Sequence, residues 1–149
     1  MRVSIGSDHA GYELKGRLKD LLIKLGQEVR DEGAFGPESV DYPDTASRVA
    51  RRLQNGEADR GILVCGTGIG MSIAANKFRG IRAAVCHNLE TAILSREHND
   101  ANVLALSGRG TDPGLASQIV EVWLKTEFLG DRHRRRVDKI KQIETDNFR

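Results

Sequence analysis

The chain has 149 residues, 30% of them charged, with a near-balanced net charge of +2 and only 5% aromatics. That is the length of one ordinary domain, 1–149, able to bury about 68–70% of its unfolded surface without disulfide or metal staples. The charge balance and the few aromatics argue against nucleic acid as a partner, and no apolar run approaches the ~18 residues of a membrane span.

In chain order the patterns predict a strand at 2–6, a helix at 12–25, a strand at 28–31 and a helix at 42–55. A strand at 61–65, a helix at 71–78 and a strand at 81–86 follow. The series ends with a helix at 89–97, a strand at 102–106, a helix at 113–125 and a basic helix from 134 to about 146. The amino-terminal residues run straight into the first strand and have no signal-peptide features. Two cysteines without secretion signals predict reduced thiols in a cytoplasm. Gly26 and Gly56 can end the first two helices, Asp41 can cap the second, and Asp112-Pro113 places proline at a helix N1 position. Three strands are continuously apolar, as strands covered on both faces should be. Alternating β and α elements therefore predict an α/β single domain: a doubly wound, five-stranded parallel sheet, Rossmann-like, with helices on both faces and a basic C-terminal helix. Ligands bind such sheets beyond the carboxyl ends of the strands. Ser7-Asp8-His9, the segment 65–70, Cys86-His87 and Ser107-Gly108-Arg109 all fall at predicted strand ends and are expected to converge on one site.

The segment 61–70, GILVCGTGIG, carries the most chemistry. A buried strand ends in Cys65, and a turn with Gly66, Gly68 and Gly70 leads into a helix. Successive backbone N–H groups in such a turn form an anion-binding nest. A thiol at its lip places a proton acceptor or nucleophile beside an oxyanion hole. The turn is no dinucleotide fingerprint, because its spacing is not GxGxxG, Met71 is bulky, and the next strand ends in Cys86-His87-Asn88 without an acidic residue. It also lacks the Lys-Ser/Thr pair of a phosphate-binding P-loop. Cys86 reads as structural. A metal held by Cys65, Cys86 and His87 or His9 has no supporting ligand spacing, so no metal is expected. Arg132 and Arg136, four residues apart on one helix, can point the same way and chelate one dianion, with Arg109 able to complete the clamp. Arg134 and Arg135 point elsewhere.

Together these residues resemble the type B ribose-5-phosphate isomerases, in the family shared with galactose-6-phosphate isomerase subunits. The resemblance covers nearly the whole chain: 6–11 (GSDHAG), 40–43 (VDYP), 62–77 (ILVCGTGIGMSIAANK), 80–84 (GIRAA), 95–103 (SREHNDANV) and 132–137 (RHRRRV). It implies a five-stranded parallel sheet between helices and a homodimer with the active site at the subunit interface, dimer and tetramer both remaining open. It also implies interconversion of ribose 5-phosphate and ribulose 5-phosphate through a cis-enediolate, without cofactor, in the cytoplasmic non-oxidative pentose phosphate pathway. Carried onto this sequence, Cys65 would move the proton between C1 and C2, and His98 would assist ring opening. Asp8 and Thr67 would lie near the substrate hydroxyls. The backbone of Gly66, Thr67, Gly68, Ile69 and Gly70 would hold the enediolate oxygen. His9, Arg109, Arg132 and Arg136 would bind phosphate, with Asn99 on the sugar. Another branch of the family uses a carboxylate just after the nest; Met71 stands there and cannot take a proton, so the cysteine is the consistent base. A hexose 6-phosphate substrate and a non-catalytic phosphosugar or nucleotide sensor are the alternatives.

Overall fold

The computed structural model describes residues 1–148. The strands are β1 (Arg2–Ser7), β2 (Glu28–Asp31), β3 (Arg60–Cys65), β4 (Ala83–Val85) and β5 (Val103–Ser107). The helices are α1 (Tyr12–Lys24), α2 (Tyr42–Gln54), α3 (Ile69–Ala75), α4 (Leu89–Glu97), α5 (Pro113–Lys125) and α6 (Asp131–Asn147). All five strands are parallel, in the order β2-β1-β3-β5-β4.

Strand periodicity explains how this one sheet serves two cores. Along β3, Ile62 and Val64 join a cluster with α1 (Leu14, Leu18, Leu22) and α5 (Ile119, Val120, Trp123). Their neighbours Leu63 and Cys65 join a second cluster with α2 (Ala46, Val49, Ala50) and α3 (Met71, Ala75). Helices therefore cover both faces, as the continuously apolar strands required. From β1 the chain steps out to β2 and then returns to β3 on the other side of β1. This reversal opens a crevice at the carboxyl ends of β1 and β3.

Several boundaries differ from the sequence expectation. β4 spans Ala83–Val85 rather than 81–86 because Ile81 packs under α2 and α3 while Cys86 turns into the opposite cluster. The Asn76 side chain pairs with both the Ala83 N–H and C=O, at 2.8 and 3.0 Å, and so covers part of this edge strand. α6 begins at Asp131, three residues early, after Gly130 accepts the His133 N–H. Asp41 sits at the N-cap of α2, yet its side chain makes no capping bond. Pro113 opens α5 as expected, and Asp112 caps it, accepting from the Gly114 and Leu115 N–H groups at 3.0 and 3.2 Å.

One buried cation braces the first crossover. Lys15 is 2% exposed and donates to Asp31 Oδ1 at 2.7 Å and to the Ala34 carbonyl. Burial alone would push the Asp31 carboxyl up, but the Lys15 ammonium, the Gly33 N–H and Lys19 outweigh it and hold the group below the usual carboxylate range. A depressed carboxylate contributes stability that is complete above its unfolded pKa of about 4 and is lost as pH falls through the folded value. Lys15→Met is expected to cost about 3 kcal/mol, because it leaves Asp31 underpaired. Thermal melts at pH 7 and pH 3 check this: the difference between variant and wild type should shrink at the lower pH.

Candidate active site

The loops after β1, β3 and β5 meet at the carboxyl end of the sheet. The Asp8 N–H donates to the Val64 carbonyl at 3.2 Å, and the Gly108 N–H to the Cys65 carbonyl at 2.7 Å. Ser107 Oγ donates to the Gly66 carbonyl at 2.7 Å and accepts the Gly110 N–H at 2.8 Å. The approach is too close for side chains on the facing backbones. A Cβ on Gly11 would stand 2.3 Å from the Val64 oxygen, and one on Gly108 2.8 Å from that of Ala10.

Cys65 is 4% exposed, and its Sγ accepts the Gly68 N–H at 3.1 Å. Gly68 has φ +81 at the N-cap of α3, a backbone that L side chains rarely adopt, and this conformation turns its N–H back onto the sulfur. Charge on that sulfur is therefore met by a fixed backbone donor at a helix N-terminus. Thr67 is exposed and its Oγ1 accepts the Ile69 N–H at 3.2 Å, which braces the same turn. Asp8, also buried, accepts the Gly11 N–H at 3.0 Å. His9 Nδ1 accepts the Val40 N–H at 3.3 Å, so Nε2 carries the ring proton as a donor. The exposed Arg109 guanidinium packs over Gly66. Asp8, His9, Cys65, Gly66, Thr67, Gly68, Ile69, Gly70 and Arg109 thus form one cluster: a sulfur, a nest, a carboxylate and two cationic or donor groups.

Cys86-His87 does not join it. β5 lies between β3 and β4, Cys86 points into the cluster opposite that of Cys65, and burial pushes its thiol up. The two thiols therefore cannot share a metal. Among the described residues no three His, Cys, Asp or Glu side chains are grouped as a metal site requires.

His98, Asn99, Arg132 and Arg136 occupy the other end of the sheet. Cys65 pairs in register with Ser107 at the carboxyl end of β5, whereas His98 and Asn99 precede that strand. The four-residue step from Val103 to Ser107 alone is roughly 13 Å. The Leu129 N–H donates to the Glu97 carbonyl, and the His98 and His133 rings stack with centroids 4.0 Å apart, so α6 is docked beside His98. Arg132 and Arg136 flank His133 on this helix. Within one chain, then, the expected three-arginine clamp does not close, because Arg109 stands at the opposite end.

Two residues of the site had no role assigned from sequence. The Tyr42 ring, 41% exposed, lies against Gly70 beside the nest. Its place in the VDYP motif was the available signal. His133 is buried, and burial together with His98, Arg132 and Arg136 holds it below the usual imidazole range. Its signal was the i,i+4 spacing to the buried Val137.

An α/β domain with a thiol and a backbone nest in its switch-point crevice has the groups to move a proton beside a developing oxyanion. Residues 3–140 match the model of the Ribose/Galactose Isomerase family, to which the chain belongs. Ribose-5-phosphate isomerase B of Escherichia coli (strain K12) is 49% identical over 96% of each chain. A solved Clostridium thermocellum ribose-5-phosphate isomerase B is 57% identical with a TM-score of 0.97, covering 98% of this chain and 99% of that one. A Thermotoga maritima ribose 5-phosphate isomerase is 52% identical with a TM-score of 0.92, covering 95% and 97%.

Proposed function

We propose that the chain interconverts D-ribose 5-phosphate and D-ribulose 5-phosphate through a cis-enediolate. It would work in the cytoplasm, in the non-oxidative pentose phosphate pathway, as a homodimer whose sites draw on both copies. The carrying observation is the Cys65 sulfur under the Gly68 N–H, at the lip of a nest.

His98 gives a proton to the ring oxygen as the C1–O4 bond breaks, and the C1 hydroxyl gives its own proton to solvent water, so the open-chain aldehyde forms with protons balanced. Cys65 then takes the C2 proton. The C–H electron pair becomes the C1=C2 bond, and the carbonyl pair settles on O1, against the nest. Return of the proton to C1, with transfer of the O2 proton to O1, leaves the ketose. Fixed donors aimed at a developing oxyanion are each typically worth roughly 2.7–4 kcal/mol. His9 and Arg109 stand beside the nest to receive phosphate, and remote binding of this kind orients a flexible open chain.

Two copies are invoked because the halves of the site lie at opposite ends of one sheet, and an apolar surface accompanies each half. Ile69 and Ile73 of α3 are 53% and 57% exposed beside the nest. Ile140 and Ile143 are exposed on α6, where only His133 and Val137 are buried. Apolar surface of this kind is what a partner covers.

The test is ribulose 5-phosphate formation from ribose 5-phosphate by the purified chain in excess chelator. Turnover supports the reading; folded protein that turns over only hexose 6-phosphates, or nothing, overturns it.

A further inference from the structure

Resting on the isomerase reading, we propose that Asp100 is a positioning residue for His98, locked by Arg82 and Arg96. The segment His98-Asn99-Asp100 links the end of α4 to β5. Among the described residues, neither His98 nor Asn99 makes a side-chain hydrogen bond; His98 has only its stacking on His133. Where the imidazole stands is therefore decided by the backbone of this turn, and that backbone is held by charge.

Asp100 has φ +48 and is one of two non-glycine residues at positive φ, the other being Asp131. That conformation is uphill for a residue with a Cβ and persists where its surroundings over-determine it. Here they do. Asp100 Oδ1 accepts Arg96 Nη1 at 2.9 Å, and Oδ2 accepts Arg82 Nη2 at 3.1 Å. Arg82 Nε reaches behind the turn to the Asn99 and Asp100 carbonyls, at 3.2 and 3.0 Å. Arg96 is 3% exposed; it donates to the Ala101 and Thr126 carbonyls, with its guanidinium over the Trp123 ring. The Asp100 carboxylate thus ties Arg96 of α4 to Arg82 just before β4, two residues along the chain from His98, and Arg96 carries the brace on to the end of α5. Two arginines converge on one carboxylate in this half-exposed helix-to-strand link, more than the link itself needs, whereas a ring that must meet a sugar oxygen does need its turn fixed. Misplacement by about 1 Å can cost 10²-fold in rate.

A positioning role for His98 differs from a purely structural one in which chemical step suffers. Ribose 5-phosphate is mainly a closed furanose and must be opened. Ribulose 5-phosphate cannot close on its phosphorylated O5, so exchange of its C1 proton with solvent needs Cys65 and the nest but no ring opening. Asp100→Asn keeps the size and the tolerance of positive φ but removes the charge between the arginines. At saturating substrate, kcat from ribose 5-phosphate is expected to fall at least tenfold. Deuterium exchange into C1 of ribulose 5-phosphate in D2O should stay within about twofold of wild type. Arg82→Gln, at the more exposed arginine, should show the same selective loss and serves if the Asn variant misfolds. Equal loss in both reactions, or loss in neither, overturns the inference while leaving the isomerase reading standing. A wild type that catalyses neither overturns both.

Discussion

Cys65→Ala is expected to lower kcat for ribose 5-phosphate by about 10²–10⁴-fold, the range a positioned general base typically supplies. The loss should fall on kcat, with KM nearly unchanged, because phosphate and hydroxyl contacts come from other groups. Fold stability should barely move. Cys65 belongs to the α2–α3 core cluster, and deleting one sulfur from it costs about 1 kcal/mol, a melting shift of roughly 2–4 °C. Unlike an Asp100 variant, Cys65→Ala should also lose deuterium exchange into ribulose 5-phosphate, since every route to the enediolate passes through the same base. Near-normal turnover in this variant would remove the thiol from proton transfer. The nest would then remain as a binding feature, and another acceptor, such as the buried Asp8, would have to be sought.

The parts of the fold that sequence revealed were those where one local rule dominates. β3 and the turn after it were legible because a continuous apolar run stops at alternating glycines, and α5 because Asp112-Pro113 marks its first turn. β4 was drawn too long because Ile81 and Cys86 are apolar for the core they fill and not for a strand they extend; burial reads the same either way. The start of α6 was missed because Asp131, Arg132 and His133 carry no amphipathic pattern until His133 and Val137 are seen buried on one face. Every residue expected in the site could be named from motifs, yet their distances could not. One signal went unused: in a parallel sheet, a motif before a strand and a motif after one lie at opposite ends. His98-Asn99 precede β5, and Cys65 follows β3.

That arrangement leads to the second large expected effect. Cys65→Ala and His98→Asn, each nearly inactive alone, should regain about one quarter of wild-type activity when equal amounts are unfolded together and refolded. Random pairing makes half of the dimers mixed. In each mixed dimer one site draws the intact Cys65 and the intact His98 from different copies, while the other site lacks both. A site housed within one chain admits no such rescue, because every chain in the mixture carries one lesion and every site inherits it. Arg136→Ala extends the test. It lies on α6, which is docked beside His98, and should complement Cys65→Ala but not His98→Asn, since its lesion belongs to the same half of the site. Recovery in the first pairing and none in the second would assign each half of the site to its own copy. Equal failure of both would mean that each site takes Cys65, His98 and Arg136 from one and the same copy.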